Sequence, residues 1–219
     1  RYGKWLTASL YAKCEFVGVS KGDSSCKVEY AYDLPNLQDE KVHLVYEVYG
    51  DGKIIVDMTY QPVSSEIEMP VFGLIFQLYK DMEEVNYYGY GPEENYIDRN
   101  KGALLGKYAY QVTDNLTPYL YPQECGNRTH VRELSVVGEN TKLAVKGEDF
   151  EFTALHYTPY ELENARHKDE LPNIYQTVLC INEKQMGIAG DDTWGARTHD
   201  EFLLDKEKHH LRFSFKGKL

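Results

Sequence analysis

The sequence lacks the marks of several large protein classes. Its four cysteines, Cys14, Cys26, Cys125 and Cys180, stand far apart and form no C-x-x-C pair. A thiolate zinc site is therefore not expected, and free thiols in core or loops are expected rather than disulfides. Positive charge is scarce: 24 Lys and Arg stand against 35 Asp and Glu, a net charge of −11. Binding to nucleic acid needs a basic face to neutralise phosphates, so this balance argues against that class. The acidic residues are spread over many short segments, as a solubilising surface requires. Apolar runs are short, and the longest, residues 71–78, is far below the roughly 20 residues of a membrane-spanning helix. No G-x-S-x-G, H-E-x-x-H or P-loop pattern occurs. No secretory signal is visible and the chain opens on Arg1. The expectation is a piece without its natural start, or one whose leader has been removed. Compartment stays undecided between cytoplasm and periplasm.

Tryptophan is rare, at two residues, but tyrosine is abundant, at 19. Tyrosine favours strands, because its ring packs while its hydroxyl stays wet. Such rings also suit sugars, although β-propensity alone explains most of them. Residues 5–19 form a long β-prone stretch. Residues 26–32 alternate, with Val28, Tyr30 and Tyr32 on one face. Residues 42–49 and 54–60 flank Gly50-Asp51-Gly52, a hairpin signal because such a turn needs positive φ. Strands are expected at 71–80 and 85–90, then after Gly91-Pro92 a long irregular excursion over 93–123. Strands resume at 131–137, 142–146 and 149–156. One helix start is clear: Thr158 as N-cap, Pro159 at the first helical position and Glu161 completing a capping box, with an end near His167. Residues 175–182, 202–204 and 209–215 read as strands. No repeat, low-complexity segment or linker interrupts the chain. The expectation is mainly β: one domain over 1–219, within the roughly 200–250 residues that all-β units reach. It carries one short helix late in the chain, without the alternating βα order of a barrel or dinucleotide fold.

Three places could carry chemistry. Trp194 sits in a glycine-rich acidic loop with Asp191 and Asp192, outside any periodic apolar run. An indole face can stack on the C–H face of a sugar while carboxylates at the rim accept hydroxyl hydrogens; the alternative is a loop tryptophan closing the end of a sandwich. Asp191 and Asp192 lack the alternating oxygen ligands of a calcium loop, so turn-forming carboxylates are expected there. Glu93 and Glu94 are adjacent on one loop, where two carboxylates seldom face each other across a glycosidic bond, so a buried salt bridge or turn scaffold is expected, with Asp98 and Arg99 as candidates for internal hydrogen bonding. His209 and His210 look like a metal pair, but strand neighbours point to opposite faces and cannot easily share one ion.

The segment Val85-Asn86-Tyr87-Tyr88-Gly89-Tyr90-Gly91-Pro92-Glu93-Glu94-Asn95-Tyr96-Ile97-Asp98-Arg99 resembles the G-x-G-P-x-E-N-Y-x-D-R signature of the small chain of glycoside hydrolase family 2 β-galactosidases. Thr117-Pro118-Tyr119, Pro122, Glu124, Gly126, Arg132-Glu133-Leu134, Met186-Gly187-Ile188, Gly190-Asp191-Asp192 and Trp194 continue the likeness in the family's order. The resemblance implies a large antiparallel supersandwich of the galactose mutarotase type. It implies a non-catalytic domain beside a TIM barrel that carries both catalytic glutamates and hydrolyses terminal β-galactosides with retention. It further implies that Trp194 stacks on the sugar in the aglycone position, with Asp191 and Asp192 at the rim. Gly91, Pro92, Glu94, Asn95, Tyr96, Asp98, Arg99, Arg132 and Glu133 are expected to be structural. The implied partners are the barrel or large subunit and a galactoside, within an oligomeric bacterial enzyme. The Mg and Na of whole enzymes would be bound mainly elsewhere. Two departures stand out. The family's upstream R-x-P-x-D-N-D stretch is absent, so truncation on the N-terminal side of the domain is expected. Ala189 also replaces a glycine.

Two rival readings remain at this level. An aldose mutarotase or epimerase would need an acid and a base about a pyranose; His130 and His156 are available, with Glu124 and Glu133 nearby in sequence. A stand-alone carbohydrate-binding module would also fit the tyrosines and Trp194.

Overall fold

The structure, a computed structural model, describes residues 2–35, 41–62, 68–192, 194–204 and 208–218. The elements in chain order are helix α1 (Gly3–Leu10) and strands β1 (Lys13–Lys21), β2 (Ser25–Asp33), β3 (Val42–Tyr49), β4 (Lys53–Tyr60), β5 (Val71–Tyr79), β6 (Glu84–Gly91), β7 (Leu104–Gln111), β8 (Arg128–Val137) and β9 (Lys142–Leu155). Helix α2 (Pro159–Asn164) and strands β10 (Gln176–Gln185) and β11 (His209–Lys218) complete the chain. The protein is mainly β, as its residue pattern indicates. The chain falls into two compact units, one of residues 1–72 and 183–216, the other of residues 73–182 and 217–219.

In the first unit the strand order is β1-β2-β3-β4-β11, with every neighbour antiparallel. The hairpin expected at Gly50-Asp51-Gly52 is present. Gly52 takes φ +83°, its N–H donates to the Tyr49 carbonyl at 3.0 Å, and Asp51 Oδ1 accepts from Lys53 N. One left-handed residue after a tight turn is the usual three-residue solution for a twisted hairpin. Register places Val56 opposite Phe213 and Met58 opposite Leu211, so alternate residues of β4 and β11 form the buried face. The β-prone reading of residues 5–19 is half right. Residues 3–10 are helical, and the strand begins only at Lys13. The helix has no side-chain N-cap to announce it. It is held by Ala8, which is buried, and by Trp5, whose ring meets Tyr60 edge-on at 6.2 Å.

His209 is buried and its Nδ1 lies 2.8 Å from Glu183 Oε2; His210 is exposed and reaches Asp57 instead. The two imidazoles thus point to opposite faces. Burial works to raise the Glu183 carboxyl, but the bonds from His209 and from His210 N hold it below its ordinary 4.5. A depressed carboxylate contributes stability that is present above its unfolded value and is lost as pH falls through the folded one. The expected result is that Glu183→Gln costs most stability near pH 7, and that the two proteins converge only as pH falls through the lowered folded value. Urea unfolding at several pH values checks this. A constant difference across that range would refute the charged pairing.

In the second unit the order is β7-β6-β8-β9-β10-β5. Its core gathers Val85, Val131, Phe150, Phe152, Leu179 and Ile181, all below 2% exposed. The excursion expected over 93–123 contains a strand, β7. It is an edge strand whose Lys107, Ala109 and Gln111 face out, so it buries too little apolar surface to show a clear period. The two strands expected at 142–146 and 149–156 are one, β9. The break signalled by Gly147 and Glu148 is absorbed by a bulge, where Val131 pairs with Phe150 but Glu133 with Lys146. The capping box is as expected: Thr158 Oγ1 accepts from Glu161 N, and Thr158 N donates to Glu161 Oε2 at 2.7 Å. The helix ends at Asn164 rather than His167, because Ala165 is already extended. Residues 200–202 form a 3-10 turn in place of the expected strand. All four cysteines are free, with Cys125 and Cys180 buried; burial pushes their thiols up to about 11 and about 12.

Candidate functional site

The Trp194 loop belongs to the first unit. It leaves β10 at Met186, whose N–H donates to the Pro70 carbonyl. Gly187 N then donates to Phe202 O at 2.8 Å, and Thr198 Oγ1 donates to Gly187 O at 3.0 Å. The arms of the loop come so close at Gly190 that a Cβ there would lie 2.2 Å from the Ala196 carbonyl oxygen. Within the loop, Asp192 Oδ1 accepts from both Trp194 N (2.8 Å) and Ala196 N (3.3 Å). This is the turn-forming role expected of its type. Gly195 takes φ +104°, which a β-carbon would strain. Asp191 reaches His199 Nε2 at 2.8 Å, and Arg197 pairs with Glu68. The indole of Trp194 is 93% exposed. A fixed backbone therefore carries an almost fully solvated aromatic ring. Thr193, in the same stretch, lies outside the described residues.

The Gly91 to Arg99 motif is in the second unit and is folded into a polar knot. Gly91 is required by space: a Cβ would meet Tyr87 Oη at 2.2 Å and the Tyr108 ring at 2.8 Å. The Gly91-Pro92 peptide is cis. Tyr96 and Arg99 bridge to each other and enclose Asp98 in the turn between them. Glu94 accepts from Arg99 Nη2 (2.6 Å), Gly126 N (2.6 Å) and Thr117 Oγ1 (3.1 Å). Asn95 is 2% exposed. Its Nδ2 donates to the carbonyls of Tyr90 and Glu93, and its Oδ1 accepts from Thr129 N and Oγ1. Tyr96 is fully buried, with its hydroxyl donating to Glu124 Oε1 at 3.2 Å. Burial, with Glu124 and Glu94 beside it, holds that hydroxyl far above its ordinary 10. Arg132 donates to the His130 carbonyl and lies over the Tyr88 ring, while Glu133 pairs with Lys146 on the surface.

The structure thus brings Glu94, Asn95, Tyr96 and Arg99 into one network, joined by Asn115, Gly126, Asn127 and Arg128, which sequence reasoning did not single out as polar anchors. Gly126 takes φ +82°, and its carbonyl accepts from Asn115 Nδ2. Arg128 is buried, with its guanidinium over the Tyr87 and Tyr110 rings. A lone Arg or Asn in a strand carries no signal that it will be buried. The four residues offered for a mutarotase each have another partner: His130 with Asp149, His156 with Glu83, Glu124 with Tyr96 and Glu133 with Lys146. Among the described residues no three His, Cys, Asp or Glu gather as a group that could hold a metal ion.

Comparison with known proteins agrees with the motif reading. Residues 1–216 match the family described as "Beta galactosidase small chain". The beta-galactosidase of Streptococcus thermophilus is 39% identical over 213 residues, covering 95% of this chain and 21% of the relative. That of Halalkalibacterium halodurans is 39% identical over 219 residues, 97% of this chain and 22% of the relative. That of Lactobacillus delbrueckii subsp. bulgaricus is 37% identical over 207 residues, 94% and 20%. The chain spans about a fifth of the length of these relatives. With the family matched along nearly its whole length and its signature folded into one buried network, the chain belongs to the beta-galactosidase small-chain family.

Proposed function

We propose that this chain is the non-catalytic small-chain part of an enzyme that hydrolyses terminal non-reducing β-D-galactosides. Its work is to complete the substrate pocket and to buttress a catalytic barrel that carries both glutamates. In this reading the chain has no catalytic residue of its own, and the cations of the whole enzyme sit outside it. The observation that carries the proposal is Trp194: a 93% exposed indole on a backbone fixed by Asp192. Solvating so large an apolar ring is unfavourable, and a preset backbone lowers the ordering cost when a ligand covers the ring. The flat face suits a sugar in the aglycone position, with Asp191 and Asp192 at the rim.

Stacking one ring contributes about 0.5–2 kcal/mol, or roughly 2- to 30-fold in affinity. Trp194→Ala in the whole enzyme is expected to raise KM for lactose, or to slow transfer to a sugar acceptor, by that factor. Steady-state kinetics with lactose and with an added acceptor provide the check, and unchanged values for both would remove Trp194 from the site. The isolated chain is expected to leave a chromogenic galactoside intact; hydrolysis by pure protein would end the non-catalytic reading.

A further inference from the structure

We infer that His199 is a positioning residue for Trp194: paired with Asp191, it fixes the arm of the loop that carries the indole and makes the indole's presentation depend on pH. The consequence for sugar recognition rests on the stacking role proposed above, whereas the geometry does not. Trp194 N is held by Asp192 Oδ1, and Asp192 follows Asp191 directly in the chain. Whatever fixes Asp191 therefore sets where Asp192 holds the tryptophan. Asp191 is fixed by His199 Nε2 at 2.8 Å, from the opposite arm of the loop. Two further crossings, Gly187 N to Phe202 O and Thr198 Oγ1 to Gly187 O, lie between neutral groups. Arg197 pairs with Glu68. Among these contacts the His199–Asp191 crossing is the one that carries an imidazole, the side chain whose unperturbed charge change falls between about pH 5 and 8.

The groups facing His199 are acidic: Asp191 first, then Glu201 and Asp200, with the Phe202 ring edge-on at 6.4 Å. The hydrogen bond and charge of Asp191 hold the imidazole above its ordinary 6.5. A raised histidine value means the ion pair is complete below about 6.5 and is lost as pH rises through the folded value. Both partners are exposed, so salt screens the pair and its loss shifts the loop's population without unfolding it.

The test uses 19F NMR of the 219-residue chain labelled with 5-fluorotryptophan. This resolves Trp194 from Trp5 without altering either, and Trp194→Phe assigns the peaks. The Trp194 resonance is expected to move with pH in one step whose midpoint lies above 6.5. Asp191→Asn should bring that midpoint down, and His199→Asn should abolish the step while far-UV circular dichroism stays unchanged. A Trp194 resonance without a step overturns the inference, as does a step that survives His199→Asn or a midpoint indifferent to Asp191→Asn. Such a failure leaves sugar stacking standing. Unchanged kinetics in Trp194→Ala would remove stacking and leave the titration intact.

Discussion

Glu94→Ala is expected to lower the urea midpoint of the second unit by about 1–2 M, corresponding to a loss of about 2–4 kcal/mol. The Glu94 carboxylate is only 18% exposed and its partners are fixed: Gly126 N, Thr117 Oγ1 and Arg99. Truncation leaves the buried Gly126 N–H without this acceptor, and an orphaned buried donor costs its full desolvation. The Arg99 contribution is discounted, since that guanidinium is half exposed and can rehydrate. Glu94→Gln separates these two parts. Its amide oxygen can still accept from Gly126 N and Thr117, but its NH2 then faces Arg99, donor against donor. An intermediate midpoint is therefore expected for Gln. Equal midpoints for Ala and Gln would place the whole effect in the ion pair, and an unmoved midpoint for Ala would mean that the knot does not hold the unit together.

The same carboxylate shows what sequence alone could convey. Adjacent glutamates on one loop seldom act across a sugar bond, and Glu94 accepts hydrogen bonds from Arg99, Thr117 and Gly126. Local signals were legible wherever the physics is local. The Thr158 capping box and the Gly52 turn each depend on a few neighbouring residues. Helix α1 was not legible, because it lacks a capping side chain and owes its place to Ala8 and Trp5 packing on distant residues. Strand β7 was hidden for a related reason: an edge strand with one half-buried face carries little hydrophobic period. At the candidate site, Asp191, Asp192 and Trp194 announced themselves by composition. The contact of Asp191 with His199 did not, since a bond across a loop between residues eight apart follows from the path of the backbone and not from any motif.

His156 is the counterpart of Glu94 in the other direction, a residue that reads as a candidate acid or base and folds as a clamp. Its side chain is 3% exposed. Nδ1 donates to the Gln176 carbonyl at 2.9 Å, and Nε2 lies 2.8 Å from Glu83 Oε1 and 3.2 Å from Thr113 Oγ1. A base for sugar epimerisation must touch a pyranose, and this ring spends both nitrogens on the protein. The clamp joins the end of β9, the start of β10, the turn at Glu83 and the 3-10 turn of residues 112–115, whose Val112 N and Thr113 N donate to Glu83 O and Oε2. His156→Phe keeps most of the volume but sets an apolar ring against a carboxylate and a carbonyl. The expected loss is about 2–4 kcal/mol, because the Gln176 carbonyl and the Glu83 carboxylate both lose their hydrogen-bond donor. His156→Ala adds a cavity and should cost more. Urea unfolding gives the global figure, and amide exchange at Val112 and Thr113 gives the local one. Faster exchange at those two amides in His156→Phe marks the clamp as released, whereas protection equal to the parent would mean that Glu83 holds the turn without the imidazole.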